Sequence, residues 1–355
     1  MTALAEKLKA RIAATGPLTL AEYMADCLLD PQHGYYATRD PLGAGGDFTT
    51  APEISQMFGE LLGLCLAQSW LDQGAPAPFA LAEPGPGRGT LMADIWRATR
   101  AVPGFHAAAR VHLIEASPIL RGIQRARLQG LPVTWHDSVG TLPDAPLWLV
   151  ANEFFDALPI RQFQRDGALW RERVVGLRDG ALVLGLTDPA PRSGLAHRLA
   201  DTTPGDIVET CPASAPVMAA LQTRIAAHGG AALIIDYGGW RSLGDTFQAL
   251  RNHAFDDPLA HPGAADLTAH VDFEALARAA PLLTHSALMP QGALLRQLGI
   301  DARAGILARN LRGAALESHR AAHHRLTDAA EMGTLFKALA LVAPGAPLPP
   351  GFDAV

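Results

Sequence analysis

The chain has 355 residues, 49% of them hydrophobic and 18% charged, which excludes wholesale disorder and leaves room for one large domain with insertions or two smaller ones. A net charge of −6 with a pI near 6.1 supplies no general basic field for a polyanion, so nucleic acid is not expected as a partner. Cys27, Cys65 and Cys211 are scattered and form no CxxC pair, which fits a reducing compartment rather than a disulfide framework.

The start, MTALAEKLKARIAATG, sets Leu4, Leu8 and Ile12 at helical spacing with charges between them. That is an amphipathic helix rather than a signal peptide. Apolar runs such as Ala145 to Ala151 are too short to span a bilayer, so a cytoplasmic protein without membrane insertion is expected. Residues 1–78 read as a helical N-terminal arm, interrupted by the polar, glycine-rich HGYYATRDPLGAGGDFTTAPE (33–53), a loop long enough to expect a function of it. The apolar helix ISQMFGELLGLCLAQSWL (54–71) reads either as core or as the face of a homodimer.

Five short apolar runs follow as candidate strands: FALAE (79–83), RVHLIEA (110–116), PVTWHD (132–137), PLWLVANE (146–153) and AALIIDYG (231–238). Helical patterns separate the first three, at 90–100 and at 117–130, the latter with a Ser cap, a first-turn Pro and a terminal Gly. Strands alternating with helices predict a doubly wound α/β sheet, over 79–159 and 229–345. Between the fourth and fifth strands, residues 160–228 show alternating segments with turn pairs Asp166-Gly167 and Asp179-Gly180, the pattern of antiparallel hairpins and a β-rich insertion. The Pro-rich end, 346–355, reads as a loose tail.

The turn LAEPGPGRGT (81–90) sits where the first strand meets a helix, a place where backbone N–H groups can face a ligand. A Walker loop needs Gly-Lys-Ser/Thr, which is missing, and the dinucleotide fingerprint beginning at Gly85 would need Gly where Thr90 stands. The spacing of Glu83, Gly85, Gly87 and Gly89, with Arg88 inside the turn, fits without adjustment the first strand-turn of class I S-adenosylmethionine-dependent methyltransferases. That cofactor offers an ammonium to an acidic neighbour and a carboxylate to backbone donors. Glu115, at the end of the second strand, suits both hydroxyls of a ribose, and Asp137 with Ser138 at the third strand end suits an adenine edge; Asp137 taken alone reads more readily as a solvated helix cap. The fourth strand ends in ANEFFDALP, where Asn152 and Phe155 match the spacing by which amino-group methyltransferases hold a target nitrogen, while Glu153 and Asp156 add carboxylates suited to a cationic target. The other reading is a capped turn with buried phenylalanines. Asp236 and Tyr237 are a second candidate pair at the fifth strand end. His319, His323 and His324 lack an HExxH arrangement, so no metal is expected.

Over nearly its whole length the chain resembles the MidA family of class I methyltransferases, in HGYYATRDPLGAGGDFTTAPEISQMFGELLG, EPGPGRGTLMADIWR, LIEASPILRGIQ, ANEFFDALPIRQF, LIIDYGGWRSLGDTFQALRNH, HPGAADLTAHVDF and QGALLRQLGI. Pro84 and Pro290 stand where family members more often have Leu and Thr. The resemblance implies a class I, Rossmann-like, mostly parallel seven-stranded sheet. It also implies S-adenosylmethionine as cofactor, and cofactor-binding roles for the turn 85–89 and Glu115. Asp47, Thr49, Thr50, Pro52 and Glu53 become a family-specific lid. For the mitochondrial members it implies arginine dimethylation on a peripheral-arm subunit of respiratory complex I during assembly. On this reading Glu153, assisted by Asp156, grips a guanidinium, Asn152 orients the nitrogen and Phe155 walls the pocket. A small-molecule methyltransferase or oxidoreductase, and a cofactor-binding chaperone without catalysis, remain as alternatives.

Overall fold

A strand covered on both faces has no solvated side, so its residues run apolar without alternation. The computed structural model, which describes residues 2–39 and 49–355, has two such strands side by side: every residue of Phe79–Pro84 and of Leu147–Asn152 is buried. The hydrogen-bonded path of the main sheet runs Thr284–His285, Phe336–Val342, Gly230–Gly239, Leu147–Asn152, Phe79–Pro84, Ala109–Ile114, Val133–His136. The last five are mutually parallel, and Phe336–Val342 runs antiparallel to Gly230–Gly239. The doubly wound, mostly parallel α/β sheet is therefore present, but its strand count differs from the expected seven. Among the described residues it holds nine strands, two of them short and beside the main path. One of these, Met289–Pro290, pairs with Phe336–Val342.

Strand order reverses at Phe79–Pro84, which has Ala109–Ile114 on one side and Leu147–Asn152 on the other. Helices leaving neighbouring strands toward opposite faces open a crevice at the carboxyl ends of the strands, the usual ligand site of such sheets. Both the glycine turn and NEFF begin there.

The chain divides into two compact units: Met1–Phe48 with Asp156–Ala215 and Gly239–Ala275, and Thr49–Phe155 with Pro216–Gly238 and Leu276–Val355. Residues 49–78 thus group with the sheet just described, and 239–275 with the first unit. In the first unit, Leu4, Leu8 and Ile12 of helix Ala3–Thr15 pack with Tyr23, Met24, Val175 and Leu267. Its helix Leu20–Leu29 starts with a full capping box, Thr19 and Glu22 satisfying each other's backbone. The hairpins expected from the D-G pairs form: Arg161–Asp166 pairs with Leu169–Arg178, which pairs with Ala181–Leu186 across Asp179 and Gly180 at φ of +51° and +76°, the left-handed pair a tight hairpin demands.

In the second unit, helix Gln56–Asp72 buries Met57, Phe58, Leu61, Leu62, Cys65, Leu66 and Trp70 in the core around the sheet, which answers its core-or-dimer ambiguity in favour of core. The tail is packed rather than loose. Phe352 is buried in the same core, Ala287 N–H donates to the Asp353 carbonyl at 2.8 Å, and Ala354 bridges Ser286. Its prolines suppress regular structure, yet Phe352 in the core and these backbone contacts hold it in place.

Candidate active site

Gly85, Gly87 and Gly89 have φ of +61°, +52° and +78°, a conformation that a Cβ penalises at every step. A Cβ at Gly85 would also meet the Phe154 ring at 3.0 Å. Gly89 caps helix Thr90–Ala98 without a side-chain hydrogen bond, so the helix N-terminus is left to backbone donors. Just before the turn, Glu83 is buried and its Oε2 has no partner. Burial pushes its carboxyl up to about 8, against a backbone hydrogen bond from Met92 and with a smaller push from the charge of Glu115. A buried carboxylate oxygen without a donor is a site for a cation.

Glu115 is buried beside it: Oε1 accepts the Ser117 N–H at 2.7 Å and Oε2 accepts Nε2 of Gln124 at 3.1 Å. Burial raises its carboxyl, opposed first by the Ser117 bond and then by Gln124. Gln124 also donates to the Gly87 carbonyl at 2.7 Å and accepts from Trp135 Nε1 at 2.8 Å. This one amide ties the glycine turn to Glu115 and to the third strand. Sequence reasoning missed it, although a glutamine one turn beyond Leu120 on the buried face of Pro118–Arg127 was a usable cue. Asp137 is exposed and paired with Arg121, and Ser138, also exposed, accepts from the Thr141 N–H and hydroxyl.

At the fourth strand end, Asn152 is buried and Glu153 takes φ of +50°, rare for a residue with a side chain. The turn is held from the fifth strand: Glu153 N–H donates to the Ile235 carbonyl at 2.9 Å, and the Phe154 and Phe155 N–H groups donate to Oδ2 of the buried Asp236 at 3.2 and 3.0 Å. Oε1 of Glu153 accepts both Asn152 Nδ2 at 2.9 Å and the Ala51 N–H at 3.0 Å. A carboxylate offers no proton, so the amide nitrogen of Asn152 must face Glu153. Its Oδ1 is then left buried without a partner. Phe155 is buried against Phe154, ring edge to face.

Of the expected lid, Asp47 lies outside the described residues. Thr49 and Thr50 precede the short helix Ala51–Ile54, Pro52 is buried in it, and Glu53 bonds the Thr90 hydroxyl at the start of the helix after the glycine turn. Asp156 belongs to the first unit, where it is buried, its carbonyl accepts the Ala269 N–H at 3.0 Å and its charge reaches Tyr36. The second unit thus brings together Glu83, the turn 85–89, Glu115, Asn152, Glu153 and Phe155 with the segment 49–54.

The sequence model of a family of S-adenosyl-L-methionine-dependent methyltransferases matches residues 61–289. This chain belongs to that family. Its methyltransferase relatives include "Protein arginine methyltransferase NDUFAF7, mitochondrial" of Xenopus tropicalis, 37% identical with 96% of this chain and 86% of the relative covered. The NDUFAF7 homolog of Drosophila melanogaster, named in the same way, is 36% identical over 95% of this chain and 84% of its own. A Burkholderia thailandensis protein crystallised with S-adenosyl-homocysteine superposes with a TM-score of 0.84 at 30% identity, covering 98% of this chain and 94% of that one. These relatives correct one expectation: both NDUFAF7 proteins are named mitochondrial, which overturns the cytoplasmic placement. Scattered cysteines and short apolar runs do not separate one reducing compartment from another, and among the described residues no helix is long and apolar enough to cross a membrane.

The residues present fit the family's cofactor. Glu83 offers an orphaned buried acceptor, the three left-handed glycines offer a turn free of side chains, and both Glu115 oxygens keep a second lone pair for hydroxyl donors.

Proposed function

We propose that this methyltransferase acts on the guanidinium of an arginine in a protein substrate, a peripheral-arm subunit of respiratory complex I during assembly. When bound, S-adenosyl-L-methionine supplies a methyl group on a sulfonium. Glu83 and the turn Gly85, Gly87, Arg88 and Gly89 would hold its amino acid end, Glu115 its ribose, and Asp137 with Ser138 the adenine edge. Thr49 and Pro52 would cover it. Asn152 would accept the target N–H through Oδ1, leaving the nitrogen lone pair turned toward the methyl, with Phe155 excluding water. Alignment in a dry crevice is most of what such a displacement needs. Guanidinium stays protonated at physiological pH, so its positive charge must be met by a carboxylate, and the proton displaced as the N–CH3 bond forms and the S–CH3 bond breaks must leave to water.

The observation that carries this reading is the orphaned, buried Oδ1 of Asn152 at the strand end next to the glycine turn; the arginine specificity of the named relatives supports it. Asn152→Ala is expected to bind S-adenosyl-homocysteine normally in calorimetry yet lose methyl transfer by at least about a hundredfold, about 2.7 kcal/mol. Glu115→Ala is expected to lose binding itself. Normal turnover by Asn152→Ala would remove Asn152 from the reaction.

A further inference from the structure

We propose that Glu153, expected from the sequence to grip the guanidinium, is instead a positioning residue whose oxygen Oε1 fastens the segment 49–54 to the fourth strand end and sets the Asn152 amide. Only the second role rests on Asn152 being the acceptor of the target nitrogen.

The first role follows from counting donors at the start of Ala51–Ile54. Thr50, its cap residue, makes no side-chain cap hydrogen bond. Pro52 has no N–H, and the amides of Glu53 and Ile54 both bond the Thr50 carbonyl, at 3.0 and 3.2 Å. The Ala51 N–H is the remaining first-turn donor of a buried residue, and Glu153, 102 positions away in sequence, accepts it at 3.0 Å. The cap is thus supplied from another element. At the other end of the segment, Glu53 bonds Thr90 beside Gly89, so the segment is tied both to the glycine turn's helix and to the strand carrying Asn152.

The second role follows from the same oxygen. Asn152 Nδ2 donates to it at 2.9 Å, and this fixes Oδ1 on the opposite side. The left-handed backbone of Glu153 is braced by Ile235 and Asp236. The oxygen is therefore held where both donors reach it.

A glutamine presents a carbonyl oxygen in place of Oε1 and can accept both bonds, whereas it cannot neutralise a guanidinium. The experiment compares wild type, Glu153→Gln and Glu153→Ala in the full chain. It reads S-adenosyl-homocysteine affinity, amide exchange of residues 51–54, and labelled methyl transfer into protein of a lysate lacking the endogenous enzyme. Glu153→Gln is expected to keep S-adenosyl-homocysteine affinity within about threefold and to keep protection at Ala51, a change smaller than one hydrogen bond to a charged group contributes. Glu153→Ala is expected to lose protection at Ala51 and to weaken affinity about tenfold. Wild-type affinity and exchange in Glu153→Ala would overturn the fastening role. Normal binding with turnover lost about a hundredfold in Glu153→Gln would return the carboxylate to the substrate. Failure of the wild type to label any protein would count against the protein-arginine reading alone, because affinity and exchange still test the fastening.

Discussion

At Glu83 burial, reinforced by the charge of Glu115, works against ionisation of the carboxyl. Its folded-state carboxyl is raised from 4.5 to about 8 by burial, so the folded protein keeps a proton there that the unfolded chain releases above about 4.5. The contribution of Glu83 to stability therefore falls as pH rises from about 4.5 to about 8. A cationic ligand group against its orphaned oxygen favours the ionised form. Cofactor binding at pH 7 is then expected to release a proton, and affinity to climb with pH up to about 8. Calorimetry in buffers of different ionisation heat measures that proton, and Glu83→Gln should abolish it; equal proton counts in the two proteins would refute the role. Asp236 makes a different demand. Its carboxylate accepts the N–H groups of Phe154, Phe155 and Tyr237, and an asparagine must turn its NH2 toward one of them. Asp236→Asn is expected to lose about 1–3 kcal/mol in denaturant unfolding, with turnover falling because the turn bearing Asn152 and Glu153 loosens.

Among the elements, the glycine turn and the five parallel strands were legible in the sequence because their physics is local: unbroken apolar runs, a Ser cap, glycines where φ is positive. The antiparallel strand Phe336–Val342 was not. Its sequence FKALALV follows a short helix and suits a helix as well as a strand, and only pairing with Gly230–Gly239 decides it. The candidate site divides the same way. Glu83, Gly85 and Glu115 were readable from spacing, whereas the Ala51–Glu153 bond joins residues 102 apart and the reach of Gln124 to three partners depends on how helix and strand pack. Gly85→Ala tests the turn as an element. With φ of +61° and a Cβ that would meet Phe154 at 3.0 Å, it is expected to cost about 1–2 kcal/mol from backbone strain alone. Gly85→Ala with Phe154→Ala should recover only the steric part, leaving stability and S-adenosyl-homocysteine affinity both below wild type.

For the whole molecule, the chain assembles each unit from three separate stretches, which composition and local pattern do not reveal. An arm ending at 78 and an insertion from 160 to 228 follow the sequence punctuation. The contacts instead group 49–78 with the sheet and 239–275 with the N-terminal helices. A ligand that binds only the folded sheet unit should stabilise that unit. S-adenosyl-homocysteine at a hundred times its Kd is expected to add about 2.7 kcal/mol, visible as a rise in the unfolding transition that Glu115→Ala lacks. The family, its cofactor and the crevice at the strand reversal converge on methyl transfer, and the proposed acceptor is an arginine of a protein. The most direct measurement incubates the enzyme and labelled S-adenosyl-L-methionine with a lysate of the source organism lacking this gene, then hydrolyses the labelled protein to amino acids. Label in methylated arginine from one protein of complex I size classes, absent with Glu115→Ala, is the expected result. Label confined to small molecules, or to amino acids other than arginine, would contradict it.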